Sequence, residues 1–247
     1  MKHTDRNHVP ISTDHGISWA FIIPAPDSDG TDQAHSVLST CRDLFESFGD
    51  FLTPLSVEYV LQTYQPGIHP NSVDGSSNPD DVSTVTVSDP AGLSAADLME
   101  SFGTTNSGVH WIPRVEFTNN RIKAQVGNKT KLVDKTNCVQ YHNGTPSPDD
   151  PTWEPLELAV AHRPHSTGEA IDSEYAYHIS IHICSSIWVE PTPEGETNRA
   201  YLSQFLNRVA NSFPVEQVQR DVLRASEFWV DLDLQQYADD FEASEIY

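Results

Sequence analysis

The stretch Tyr175-Ala176-Tyr177-His178-Ile179-Ser180-Ile181-His182-Ile183-Cys184 separates its side chains by parity. Successive side chains of an extended strand point to opposite faces. Tyr177, Ile179, Ile181 and Ile183 therefore form an apolar row, and His178, Ser180, His182 and Cys184 a row of metal-ligating and hydroxyl groups. Alternate residues lie about 6.6 Å apart, so His182 and Cys184 can share one Zn²⁺, whereas His178 and His182, about 13 Å apart, cannot without a bend in the strand. The remaining ligands would come from His162-Arg163-Pro164-His165 at the end of the preceding strand. The competing account is a polar sheet face with hydrogen-bonded histidines. We favour it, because 11 histidines make such coincidences easy and no Cys-x-x-Cys or His-Glu-x-x-His spacing is present.

A second candidate is Asp27-Ser28-Asp29-Gly30-Thr31. These five residues resemble the Asp-x-Asp-Gly-Thr nucleophile motif of haloacid-dehalogenase-type phosphatases. The resemblance implies Asp27 as nucleophile on phosphorus, Asp29 as acid/base and Mg²⁺ between them. The departures are Pro24 and Pro26, which interrupt the apolar strand that should deliver Asp27, and the absence of an evident parallel sheet. An acidic turn capping the following helix is the favoured reading.

The third candidate is a basic segment. Residues 101–148 hold Arg114, Arg121, Lys123, Lys129, Lys131 and Lys135 against Glu116 and Asp134, in a chain whose net charge is -22. Arg121, Lys123, Lys129 and Lys131 could hold an anion or an acidic partner, or pair with the protein's own acidic surface; the second account is favoured.

The rest of the composition narrows the function classes. With 36 Asp plus Glu against 14 Lys plus Arg, the chain is no conventional basic nucleic-acid binder, and three cysteines in 247 residues make no disulfide scaffold. Acids dispersed through core-forming sequence resemble the surfaces of cytoplasmic proteins from salt-in halophiles, where high salt screens the self-repulsion. The longest apolar run, Trp19 to Ile23, is far too short to span a bilayer, and no apolar signal core follows Met1, so a cytoplasmic location is expected.

The elements that must position these groups follow from periodicity. Residues 17–23 are expected as a buried strand stopped by Pro24. Ala34, Val37, Leu38, Cys41, Phe45 and Phe48 repeat at helical spacing, with Thr31 or Asp32 as cap and Gly49 as stop. Residues 55–64 alternate as a strand. Residues 65–92 are mostly loop, with a short strand at Val82 to Val87. Ser94 and Asp97 form a capping box, with Leu93 and Leu98 at the staple positions and Gly103 at the helix end. Strands are expected at 111–118, 121–126 and 131–139, a Pro-rich loop at 143–155, and strands at 156–162 and 174–188. Leu202, Phe205, Leu206, Val209, Ala210 and Phe213 mark a helix ended by Pro214, and 215–229 is expected as a further helix, with a strand at Val222 to Val230 as the alternative. The acidic residues from Tyr237 to Tyr247 are expected to fray.

The order predicts an α+β fold, a largely antiparallel β-sheet covered on one face by amphipathic helices, in a single domain over 1–247. The expected function is a non-enzymatic protein-binding or regulatory protein, immunity-like and adapted to high salt, whose partner is another protein rather than nucleic acid or membrane. No cofactor is expected on this reading. The alternative is a metal-dependent hydrolase using Zn²⁺ on the histidine face or Mg²⁺ at Asp27 and Asp29.

Overall fold

The computed structural model describes residues 9–11, 16–24, 33–65, 78–102, 109–142, 145–147, 154–164, 175–188 and 192–223. In chain order the strands are β1 (Val9–Ile11), β2 (Gly16–Pro24), β3 (Leu52–Thr53), β4 (Ser56–Tyr64), β5 (Asp81–Ser88), β6 (Val109–Trp111) and β7 (Arg114–Thr118). They continue as β8 (Arg121–Val126), β9 (Lys129–Val133), β10 (Cys138–His142), β11 (Thr145–Ser147), β12 (Glu157–Pro164), β13 (Tyr175–Ile183) and β14 (Gln217–Leu223). The α-helices are α1 (Gln33–Phe48), α2 (Ala95–Phe102) and α3 (Pro193–Ser212).

The main sheet has eight strands in the order β14-β2-β13-β12-β7-β4-β5, with β6 also on β4. Its pairings are antiparallel throughout. Two three-stranded sheets, β1-β10-β11 and β3-β8-β9, flank it, and β1 with β10 is parallel. The fold is α+β and largely antiparallel, with helices packed on the sheet.

Alternation explains the layering. Tyr177, Ile179, Ile181 and Ile183 of β13 are at most 1% exposed. They stand beside Ile23, Phe21, Trp19 and Ile17 of β2, and Ile179 and Ile181 also beside Val160 and Leu158 of β12. Helices α1 and α3 cover this face with Val37, Leu38, Cys41, Leu44, Leu202, Phe205, Leu206 and Val209, all fully buried. Burying an aliphatic side chain of this size contributes about 1.5 to 3 kcal/mol, so this face supplies most of the folding drive. The Tyr177 hydroxyl donates to Ser36 Oγ at 3.1 Å, which satisfies the phenol beneath α1.

Helix ends follow local chemistry. Asp97 accepts from the Ser94 N–H at 2.8 Å and Ser94 Oγ from the Asp97 N–H at 3.3 Å, the expected reciprocal cap of α2. Gly49, at φ +55, closes α1, and Arg208 of α3 donates to the carbonyls of Ser47 and Phe48 at 2.8 and 3.1 Å.

Several elements differ from the sequence expectation. The strand expected at 111–118 is broken at Ile112 and Pro113 into β6 and β7, because proline lacks a ladder N–H. The strand expected at 131–139 is interrupted by a one-turn 3₁₀-helix at Lys135–Asn137, whose Asp134 and Asn137 cap one another and redirect the chain into another sheet. Within the expected loop 143–155, Thr145–Ser147 pairs with β10, Pro146 lying on a three-residue strand at the sheet margin. The helix expected over 215–229 is corrected most plainly: Gln217–Leu223 is a strand, and residues 224–230 lie outside the described residues. Its whole length pairs with β2, whose backbone needs a partner on that side, and tertiary pairing overrides the weak helical pattern.

Candidate functional site

The face of the main sheet opposite α1 and α3 carries a trough of about 490 Å³. Strand register builds it row by row. Across the centre, Gln219, Ala20, Ser180, Ala159 and Glu116 are successive cross-strand neighbours. The small side chains of Ala20, Ser180 and Ala159 leave a depression as floor. On one side stand Ser18, His182 and Glu157; on the other stand His178, Ala161 and Arg114. His178, Ser180 and His182 are half-buried, as expected for the polar parity of β13.

The charged groups of the rim are paired in three different ways. Arg114 Nε lies 2.7 Å from Glu116 Oε1, two residues along the same face. His182 Nδ1 stands 3.9 Å from Glu157 Oε2, so a protonated imidazole has a carboxylate beside it. Glu154 accepts from the backbone N–H groups of Asn119 and Asn120 at 2.8 and 2.9 Å. Burial pushes the Glu154 carboxyl above its ordinary value, and those two donors oppose the shift. Glu154 thereby holds the turn between β7 and β8, where Asn119 has φ 54. Buried Asn120 donates to the carbonyls of Phe117 and Leu156 at 2.9 and 3.0 Å from the same turn.

The His182 imidazole lies close over β2. A Cβ added to Gly16 would come 2.9 Å from its Nε2, so glycine at this position leaves the ring its space.

The proposed metal ligands are distributed differently. His162 stands opposite Tyr177 in the register, on the face that packs against the helices. Its ring makes edge contacts with Trp111 at 4.5 Å and Tyr177 at 5.8 Å. Burial, aided by His178, pushes its pKa down to about 4, which keeps it neutral at neutral pH. Cys184 follows the last residue of β13 and is 3% exposed within the apolar core; its thiol donates to the Glu154 carbonyl at 3.5 Å. Burial and nearby carboxylates push that thiol up to about 12, and Cys41 and Cys138 are shifted upward by burial as well. His182 and Cys184 are thus not joined on one open face, and among the described residues no three His, Cys, Asp or Glu side chains converge as a metal site. His165, Asp27 and Asp29 lie outside the described residues.

The basic candidates divide. Lys123 Nζ bonds Asp50 at 2.7 Å and sits 4.7 Å from the Tyr201 ring centroid. Arg121 donates to the Pro90 carbonyl at 3.2 Å and faces Asp134 at 3.8 Å. Arg121 and Lys123 are therefore engaged by the protein's own surface; Lys129 is exposed and Lys131 half-buried on β9.

Sequence reasoning placed His178, Ser180 and His182 on one face but missed Glu157, Glu116, Arg114 and Ser18. The available signal was the small residues Ala20, Ala159 and Ser180 within otherwise bulky strands. Comparison with known proteins finds no matching family model, no similar curated protein and no similar solved structure.

Proposed function

We propose that the chain is a binding protein without a catalytic role, and that the trough receives a basic segment of another protein. One observation carries this reading: a floor of Ala20, Ser180 and Ala159 on the sheet, rimmed among the described residues by Glu157, Glu154, Glu116, His178, His182 and Arg114. Among the described residues the rim has three carboxylates against one guanidinium, and that guanidinium is already paired with Glu116. An arginine or lysine side chain laid over the floor would meet this excess of carboxylates at short range, where salt screens least. The net charge of the whole chain, -22, suits solubility in concentrated salt. Cytoplasmic residence in a salt-adapted cell belongs to the same proposal.

The test is titration with a short arginine-rich peptide, followed by backbone amide shifts. Shifts confined to Ser18, Ala20, Ala159, Ser180 and His182, lost in the Glu116→Gln/Glu157→Gln double variant, support the reading. Shifts elsewhere, or none, reject it. Stoichiometric Zn²⁺ or Mg²⁺ in protein purified without an affinity tag would move the assignment to the metal-dependent hydrolase. Salt adaptation is tested separately: the unfolding temperature should rise from about 0.1 M to multimolar KCl as carboxylate repulsion is screened, and a flat or falling curve rejects it.

A further inference from the structure

Strand β5 stands at one end of the main sheet and pairs with β4 from Asp81 to Ser88. Among the described residues no strand lies on its outer side. Sheet edges are normally protected by charge, proline, bulges or short length. Other edges among the described residues carry such devices: β9 has Lys129 and Lys131, β11 has Pro146, β14 has Arg220 and Asp221, and β1 and β3 are only three and two residues long. Between Asp81 and Ser88, β5 reads Val-Ser-Thr-Val-Thr-Val and contains none of them. Asp81 to Thr84, Thr86 and Ser88 are exposed, and Val82 is 55% exposed.

We infer that β5 is a self-association edge, on which a second copy of this chain adds its own β5 in antiparallel pairing about a twofold axis at Thr84. The occupant follows from chemistry. An open strand edge recognises another strand through its backbone, and from Val82 to Ser88 β5 offers no charge that would select a foreign sequence. What that stretch matches is an uncharged, β-branched strand, and Val82 to Ser88 is one. A twofold axis normal to the sheet keeps each face continuous, so residues of equal parity must meet. An axis at Val85 would set Asp81 against Asp89. An axis at Thr84 sets Thr84 against itself, Val82 against Thr86 and Ser83 against Val85, with no acid opposite an acid. The edge is then about 26 Å long. Because each copy carries -22, association strengthens with salt.

Sedimentation equilibrium of the full chain at about 100 μM, a concentration suited to a micromolar interface, should show a dimer whose share rises from dilute to multimolar KCl. Mild oxidation should crosslink Thr84→Cys, since directly opposed residues lie within disulfide reach. Val82→Cys, whose copies would sit about 13 Å apart along the strand, should crosslink far less. Both positions are exposed, and circular dichroism checks that each variant is folded. A monomer at every salt concentration overturns the inference, as does a dimer in which folded Thr84→Cys fails to crosslink. A monomer that binds an added extended peptide at β5 overturns the choice of a second copy. None of these readouts involves the trough, so the inference and the proposed function can fail separately.

Discussion

The two faces of β13 are built from alternate residues of one strand and do different work. On one, Tyr177, Ile179, Ile181 and Ile183 are sealed beneath the helices; on the other, His178, Ser180 and His182 are half-buried in a trough floored by small residues. The comparison teaches that a single strand can serve a sealed core on one face and an open trough on the other, because adjacent side chains never share an environment. Substitutions one residue apart should therefore differ in kind as well as in size.

The largest effect should come from the sealed face. Ile181→Ala removes a fully buried side chain and leaves a cavity, with an expected loss of about 2 to 5 kcal/mol by denaturant unfolding. Its neighbour Ser180→Ala should stay within about 0.5 kcal/mol. Equal losses at the two positions would break the comparison.

A polar group inside the dry region comes next. Asn198 is fully buried; its Oδ1 accepts from the Gln125 N–H at 2.6 Å, and its Nδ2 donates to the carbonyls of Gln125 and Ile187 at 3.0 and 3.3 Å. It pins α3 to β8. Asn198→Ala leaves those backbone groups unsatisfied and should cost about 1 to 3 kcal/mol, and an unchanged denaturation midpoint would contradict this.

His162 sharpens the contrast through pH. Its folded pKa of about 4 lies below the ordinary 6.5, so the unfolded chain takes up the proton first as pH falls. The contribution to stability is fully present above about 6.5 and is lost as pH drops towards 4. The gap corresponds to about 3.4 kcal/mol at most, and partial exposure brings it to roughly 1 to 2. Stability of His162→Gln should depend less on pH across that window, whereas profiles of the same shape in both proteins would remove His162 as the cause.

The smallest effect belongs to the trough. Gly16→Ala places a methyl group in the space beside His182 Nε2, so the imidazole must shift. Stability should fall by less than about 1 kcal/mol while the His182 ring signals move in the NMR spectrum. Stationary ring signals would show that Gly16 does not set the ring position.

Much of this arrangement was legible in advance. The parity of β13, the apolar repeats of α1 and α3, and the Ser94 and Asp97 box all express local periodicity or local hydrogen bonding, and the structure bears them out. The trough was only half legible. His178, Ser180 and His182 belong to one strand, but Glu157, Glu116 and Ser18 join them across strands far apart in the chain.

By itself the sequence determined which residues alternate, where the strongest helices lie, and that the chain carries a net charge of -22. Tertiary structure decided the rest. It set His162 opposite Tyr177, away from the face of His178 and His182, turned Cys184 into the core beyond the end of β13, and made Gln217–Leu223 a strand beside β2. The reason is that periodicity is a property of neighbouring residues, whereas register depends on partners distant in the chain, and a slip of one residue would exchange the two faces.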